Sequence, residues 1–254
     1  MAWSKHLLIP PMRLDVFLAE AGFARSRTEA KQLIEEGAVS INGRVLDKPA
    51  MHIDGMEESI VLNRSARPYA SRGGTKLEGA LSAFSIDVQG VRAIDVGASS
   101  GGFTDCLLQN GASRVIALDS GKDQLVDFLR RDPLVFVIEG YNARYLSPED
   151  LPYVPNFAVM DVSFISATYI IPALYSVLAD GAHFVCLVKP QFEVGRAAIG
   201  KGGIVKDEKA REAALSSVVA FAEQIGFACH GAIVSPIRGG DGNIEYLAHF
   251  QKKI

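Results

Sequence analysis

Asp95-Val96-Gly97-Ala98-Ser99-Ser100-Gly101-Gly102-Phe103-Thr104-Asp105 is the stretch that decides the fold. A strand-like run over 92–96 enters it and a helix-like run over 102–110 leaves it. Glycines between a strand and a helix let the backbone bend sharply and approach a bound nucleotide or amino-acid moiety closely. The pattern is not the G-x-G-x-x-G that receives a pyrophosphate, because Gly97 is followed by the pair Gly101-Gly102, with Asp95 at the strand's end. Outward from this turn, helix and strand alternate. A helix over 76–84 precedes it. After it come strand 114–118, helix 124–131, strands 135–138 and 157–160, and an apolar helix within 162–179. Strand 183–188, a Gly-rich basic loop over 191–206, helix 208–225 and strands 228–234 and 245–250 complete the chain. This alternation predicts an α/β domain with a doubly wound, mostly parallel sheet of about seven strands; the last two, following each other directly, suggest an antiparallel edge.

Residues 1–63 read differently. Helices over 14–20 and 27–36 are followed by short β segments at 38–41 and 44–46 with Asn42-Gly43 between them. Ser26 and Glu29 form a capping box and Gly37 ends the second helix. Asn-Gly is a strong hairpin signal because both residues tolerate positive φ. Residues 64–71, with Pro68 and two serines, read as a linker, which leaves 72–254 for the larger domain. The small domain resembles the αL-type RNA-binding domain of ribosomal small-subunit protein four. The matching residues are Arg13-Leu14-Asp15, Ala24-Arg25-Ser26-Arg27, Lys31, Ala38-Val39 and Ile41-Asn42-Gly43. The resemblance implies that Arg13, Arg25, Arg27, Lys31, Arg44 and Lys48 contact RNA phosphates. Arg13 to Pro49 holds six basic and six acidic residues, so the ordered motif carries this expectation and bulk charge does not. Arg13-Leu14-Asp15 also resembles a pseudouridine-synthase signature, but it sits in the adaptor's first helix.

The formal net charge of −3 gives no general support for nucleic-acid binding. Cys106, Cys186 and Cys229 form no C-x-x-C pair, so a disulfide framework and a metal site are both unexpected, and a reducing cytoplasm fits. Met1 to Pro11 is too short and interrupted for a signal peptide. The 18 residues 162–179 lack charge, near the lower limit for a membrane span, but Ser163, Ser166, Thr168, Pro172 and Ser176 favour a helix packed on a sheet. A soluble, cytoplasmic monomer is expected.

The glycine turn resembles the first motif of methyltransferases. That implies S-adenosyl-L-methionine held by Asp95, Gly97, Ala98, Ser99, Gly101, Gly102 and Phe103, with Asp119 on the ribose, Asn142 beside the adenine, and Asp161. Asp161 and Lys189 directly follow strands, where open α/β sheets present ligand-facing residues. Asp161-Val162-Ser163-Phe164 is not the Asn/Asp-Pro-Pro-aromatic sequence of amino-group methyltransferases, and no Cys follows a Pro as carbon-5 methylation requires. Oxygen methylation remains. A ribose hydroxyl is a weak nucleophile and a poor acid, so it needs alignment and a proton acceptor. A lysine serves as base only when burial or a second cation lowers its pKa.

Five stretches are similar to the hemolysin-A (TlyA) family. They are Ser71–Leu77, Asp95–Thr104, Asp161–Ser166, Val188–Glu193 and Gly242–Tyr246, and the resemblance covers the chain from Arg13 onward. It implies an RNA adaptor joined to an FtsJ-like methyltransferase domain. The implied reaction is 2′-O-methylation of cytidine in ribosomal RNA of either subunit, carried by Lys76, Asp161, Lys189 and Glu245. Arg64, Arg67 and Arg72, with Arg196, Lys201 and Lys206, are expected to track the RNA backbone. Two other classes stay open: an RNA-binding protein without catalysis, and a membrane-active hemolysin, which needs a lipid-seeking segment.

Overall fold

The computed structural model describes residues 7–21, 23–24, 26–35, 39–41, 44–57, 60–62 and 69–254. The chain divides into two compact units, 1–68 and 69–254.

In the small unit, β1 (Leu7–Arg13) leads into α1 (Leu14–Glu20) and α2 (Arg27–Glu35). Leu14, Phe17 and Leu18 of α1 bury against Ala30, Leu33 and Ile34 of α2. The strands that follow are β2 (Val39–Ile41), β3 (Arg44–Val45), β4 (His52–Glu57) and β5 (Ile60–Leu62). β1 pairs with β4, and β2 lies between β3 and β5. Ser26 Oγ accepts the Glu29 N–H at 3.2 Å, as a capping residue should. Gly37 and Asn42-Gly43 lie outside the described residues, but Ile41 faces Arg44 and Ser40 faces Val45 across the expected hairpin.

Asp15 is fully buried and takes hydrogen bonds from Arg13 Nε (2.9 Å), Arg13 Nη2 (3.1 Å), Arg27 Nη2 (3.1 Å) and the Val16 N–H (3.1 Å). The Arg13 guanidinium, then Arg27, hold its carboxyl down at about 2 against the opposing effect of burial. The Arg-Leu-Asp run is therefore a tie between α1 and α2. Arg13 and Arg27, expected on phosphates, are partly committed to Asp15, whereas Lys31, Arg44 and Lys48 are exposed.

The large unit starts with α3 (Gly73–Ala83), then β6 (Arg92–Val96), α4 (Gly102–Gln109), β7 (Arg114–Asp119), α5 (Asp127–Arg130) and β8 (Val135–Glu139). β9 (Phe157–Met160), α6 (Ile171–Val177), β10 (His183–Val188) and α7 (Pro190–Glu193) follow, and α8 (Glu208–Ile225), β11 (Phe227–Val234) and β12 (Tyr246–Lys252) end it. The sheet has seven strands in the order β11-β12-β10-β9-β6-β7-β8. β10 through β8 run parallel, and β12 pairs antiparallel with both β10 and β11. This is the expected doubly wound sheet with an antiparallel edge.

Strand alternation divides the core into two layers. Ile94, Ile116, Ala158, Phe184 and Phe250 pack with α6 and α8 on one face. Ala93, Val115, Val159, Val185 and Leu247 pack with α3 and α4 on the other.

Three local expectations change. Residues 69–71, read as linker, belong to the large unit: Tyr69 packs into its core and the Ala70 N–H donates to Asp105 Oδ2 at 2.8 Å. The helix over 124–131 shortens to α5 because the Glu139 carboxylate takes the N–H groups of Asp123, Gln124 and Leu125 first. The run 162–179 breaks into a loop, a 3-10 turn at Ala167–Tyr169 capped by Ser166, and α6 with Pro172 in its first turn. Among the described residues, no helix is long and apolar enough to cross a membrane.

Candidate active site

Lys76, Asp161, Lys189 and Glu245 converge because of side-chain parity. Val159, Leu187 and Leu247 all point to the α3/α4 face of the sheet. Asp161, Lys189 and Glu245 each lie two positions from one of them, past the strand end, and inherit the same face. Lys76 rides on α3, which covers that face through Leu77, Ala80 and Leu81. α3 also lies close against the loop leading to Glu245, since a Cβ at Gly79 would come within 2.8 Å of Pro236 Cγ.

The four residues form two ion pairs. Lys76 Nζ donates to Glu245 Oε2 at 2.7 Å, and both residues are buried. Gln191 Nε2 reaches the other oxygen, Oε1, at 3.4 Å, and the backbone at Gly239 is packed so tightly on this carboxylate that a Cβ there would strike it. Lys189 Nζ lies 2.5 Å from Asp161 Oδ1, a charge contact without hydrogen-bond angles, so Oδ1 has no hydrogen-bond donor. Lys189 Nζ donates instead to Ser163 Oγ at 2.8 Å and sits 5.9 Å from the centre of the Phe192 ring.

The glycine turn is built as its sequence demands. Gly97 has φ +86°, and a Cβ there would collide with the carbonyl of Asp161. Ser99 is held at φ +46° with its N–H on Asp119 Oδ2 at 2.8 Å. The result is a cleft of about 530 Å³ lined by Gly97, Ala98, Ser99, Gly102 and Phe103 together with Lys76, Asp161 and Lys189. That volume suits a ligand of cofactor size.

Several expected residues stand elsewhere. Asp95 does not line the cleft: it is fully buried under the turn and accepts the Thr104 hydroxyl at 2.6 Å. Burial pushes its carboxyl up to about 7, and Oδ1 has no partner. Gly101, at φ +95°, faces Leu125 and Leu129 rather than the cleft. Asp119 stands beside the turn, outside the lining, accepting the Ser99 and Gly121 N–H groups. Asn142 is exposed, and its side chain caps the turn that follows by accepting the Arg144 N–H at 3.1 Å. Arg72 lines the cleft; Arg196, Lys201 and Lys206 are exposed in their loop, away from the lining. Arg25, Arg64 and Arg67 lie outside the described residues.

Other lining residues were not among the expected site residues. Ser71 precedes α3 and Gly73 opens it, within the family-like stretch Ser71–Leu77, and Ile237, Arg238 and Gly240 come from the loop between β11 and β12. Phe164 is 92% exposed at φ +65°, next to Ser163, and its ring centroid lies 5.3 Å from that of Phe192. A bulky residue in the left-handed region is rare enough to need a reason.

The seven-stranded sheet, the glycine turn and the cleft beside it define a methyltransferase fold. Residues 69–252 match the FtsJ-like methyltransferase family and residues 12–59 match the S4 domain. The chain is 47% identical to the candidate rRNA methyltransferase YqxC of Bacillus subtilis (strain 168), over 93% of this chain and 84% of that protein. It is 44% identical to the 16S/23S rRNA (cytidine-2′-O)-methyltransferase TlyA of Mycobacterium tuberculosis, over 92% and 88%. A solved structure of a candidate hemolysin from Streptococcus thermophilus covers 96% of this chain and 89% of its own, with a TM-score of 0.72 and 48% identity. The chain therefore belongs to the FtsJ-like methyltransferases, within the group that carries the TlyA and hemolysin A names.

Proposed function

We propose that the protein transfers a methyl group from S-adenosyl-L-methionine to the 2′-hydroxyl of cytidine in ribosomal RNA. The observation that carries this reading is the pairing of two buried lysines with two carboxylates at the mouth of the glycine-turn cleft. The relative of 44% identity is named for that reaction.

The cradle suits the cofactor: Gly97 keeps the backbone open, Phe103 offers an apolar wall, and the Asp119 carboxylate keeps lone pairs for ribose hydroxyls beyond the two amides it already accepts. S-adenosyl-L-methionine supplies an electrophilic methyl group. The chain's residues do the rest. Asp161 and Ser163 hold Lys189 Nζ at the cleft, where it receives the proton that the 2′-hydroxyl gives up as its oxygen is methylated. Asp161, in contact, stabilises the ammonium so formed. Glu245 holds the Lys76 ammonium facing the same space. Phe164 offers an exposed ring on which the target base stacks once it leaves its neighbours. Arg72 and Arg238, exposed at the cleft, take the flanking phosphates.

The test is to incubate unmodified ribosomal subunits with the protein and the cofactor, then digest the RNA to nucleosides. New 2′-O-methylcytidine is expected. A methyl group on a base nitrogen or carbon, or none at all, contradicts the reading.

A further inference from the structure

Outside the cleft, two tyrosines stand at the surface of the large unit, Tyr145 at 70% and Tyr169 at 62% exposure. Each ends a 3-10 turn, Ala143–Tyr145 after β8 and Ala167–Tyr169 after β9. The Arg144 guanidinium lies between these two turns, 5.8 Å from the Tyr145 ring centre and 5.4 Å from that of Tyr169. Both turns are braced. Asn142 caps the first, and Ser166 caps the second while donating its own hydroxyl to Glu193 Oε2 at 2.6 Å. Among the described residues, no carboxylate pairs with the Arg144 guanidinium and it donates no hydrogen bond. The neighbouring acid Asp150 is taken up by the Tyr141 hydroxyl at 2.7 Å and by Ser147.

A braced cluster of two exposed rings and an unpaired guanidinium has the chemistry of a base-stacking platform. Every base presents a π-face to an aromatic ring, and a guanidinium adds cation–π attraction and affinity for phosphate. The second turn follows the cleft residues along the chain: after Asp161 and Ser163 come the exposed Phe164 and, five residues on, Tyr169. Paired bases hide their faces, so such a surface suits unpaired RNA.

We propose that Tyr145, Arg144 and Tyr169 bind unpaired bases of the RNA strand flanking the methylated nucleotide. This rests on the reading that RNA is the substrate. It assigns to the methyltransferase unit a strand-binding surface of its own, separate from the groups that meet the reacting ribose.

Tyr145→Ala, Tyr169→Ala and Arg144→Gln would be compared with the wild type in the full chain. The measurements are affinity for unmodified ribosomal subunits, KM for methyl transfer to them, and affinity for S-adenosyl-L-methionine. Loss of one ring is expected to weaken RNA binding and raise KM roughly ten-fold. Cofactor affinity stays unchanged, which also reports a folded cleft, and Tyr→Phe restores binding at either position. Because stacking is not ionic, the tyrosine variants keep the wild-type salt dependence, whereas Arg144→Gln flattens it. Wild-type affinity and KM in all three variants, from a protein that does methylate RNA, overturn the platform alone. Variants that keep RNA affinity but lose a ribosomal protein contact overturn it in favour of a protein surface. A wild type that neither binds nor methylates RNA removes the underlying reading as well.

Discussion

The two lysine–carboxylate pairs in the cleft look alike in composition and are built in opposite ways. Asp161 and Lys189 come from adjacent parallel strands, β9 and β10, and their side chains leave the sheet together toward the cleft. Lys76 and Glu245 are 169 positions apart, one on a helix and the other at the antiparallel edge. Their contact is deeper, with the Glu245 side chain 2% exposed against 20% for Asp161. Glu245 is also enclosed by Gln191 and the Gly239 backbone, whereas Asp161 leaves one oxygen without a hydrogen-bond donor. One pair is therefore open to the cleft, and the other holds a charge in place while also pinning α3 to the antiparallel side of the sheet.

Removing one partner from each pair tests that contrast most severely. Glu245→Ala leaves Lys76 buried without a counter-charge, and it is expected to cost about 3–5 kcal/mol of stability. Asp161→Ala leaves Lys189 with the Ser163 hydroxyl as a partner and costs clearly less while abolishing activity. Equal losses in denaturant unfolding would erase the distinction between the pairs. Phe164→Ala probes the open end next. With a stacking ring lost, KM for ribosomal RNA rises about ten-fold. Stability changes little, because the ring is 92% exposed and alanine carries the same Cβ at this left-handed position. A KM that does not move removes Phe164 from base binding.

A gentler probe lies beneath the cofactor turn. The Asp95 carboxyl titrates at about 7 in the native protein because it is buried, whereas in an unfolded chain it titrates near ~3.9. Between those values the native state keeps a proton that the unfolded state has released. Its contribution to stability therefore falls as pH rises through that window and levels off above about 7. Wild type measured against Asp95→Asn should show this decline in melting temperature between pH 4 and 7 (roughly the interval between the two titrations). A pH-independent difference would mean that Asp95 is ionised throughout.

The same contrast governs what was legible from the residues alone. Asp161 and Lys189 are readable because a polar residue just after an apolar strand points into the crevice of an open α/β sheet. Lys76 and Glu245 rest on family resemblance at that stage, although one local signal was present: Glu245 shares its parity with Leu247, and Lys76 adjoins Leu77 on the buried face of α3. That signal has no meaning until the sheet order is known, because nothing local says that the last strand inserts beside β10. Asp95 went to the wrong place for a related reason. It faces the same side of the sheet as Asp161, but it lies within β6 below the turn, where Thr104 of α4 covers it. Asn142 followed a strand yet became a turn cap, the local competition that Asn side chains favour. Tyr69 to Ser71 read as linker because the deciding contact, Ala70 with Asp105, spans 35 positions.

In the proposed mechanism Lys189 receives the proton and Lys76 supports it. Single-turnover methyl transfer to unmodified ribosomal subunits, with cofactor affinity measured alongside, tests this most directly in Lys189→Ala and Lys76→Ala. A loss of about 10²–10⁴ in rate is expected for Lys189→Ala with cofactor binding retained, and a smaller loss for Lys76→Ala. A Lys189→Ala variant that is folded, binds the cofactor and transfers methyl groups within a few-fold of the wild-type rate would contradict it.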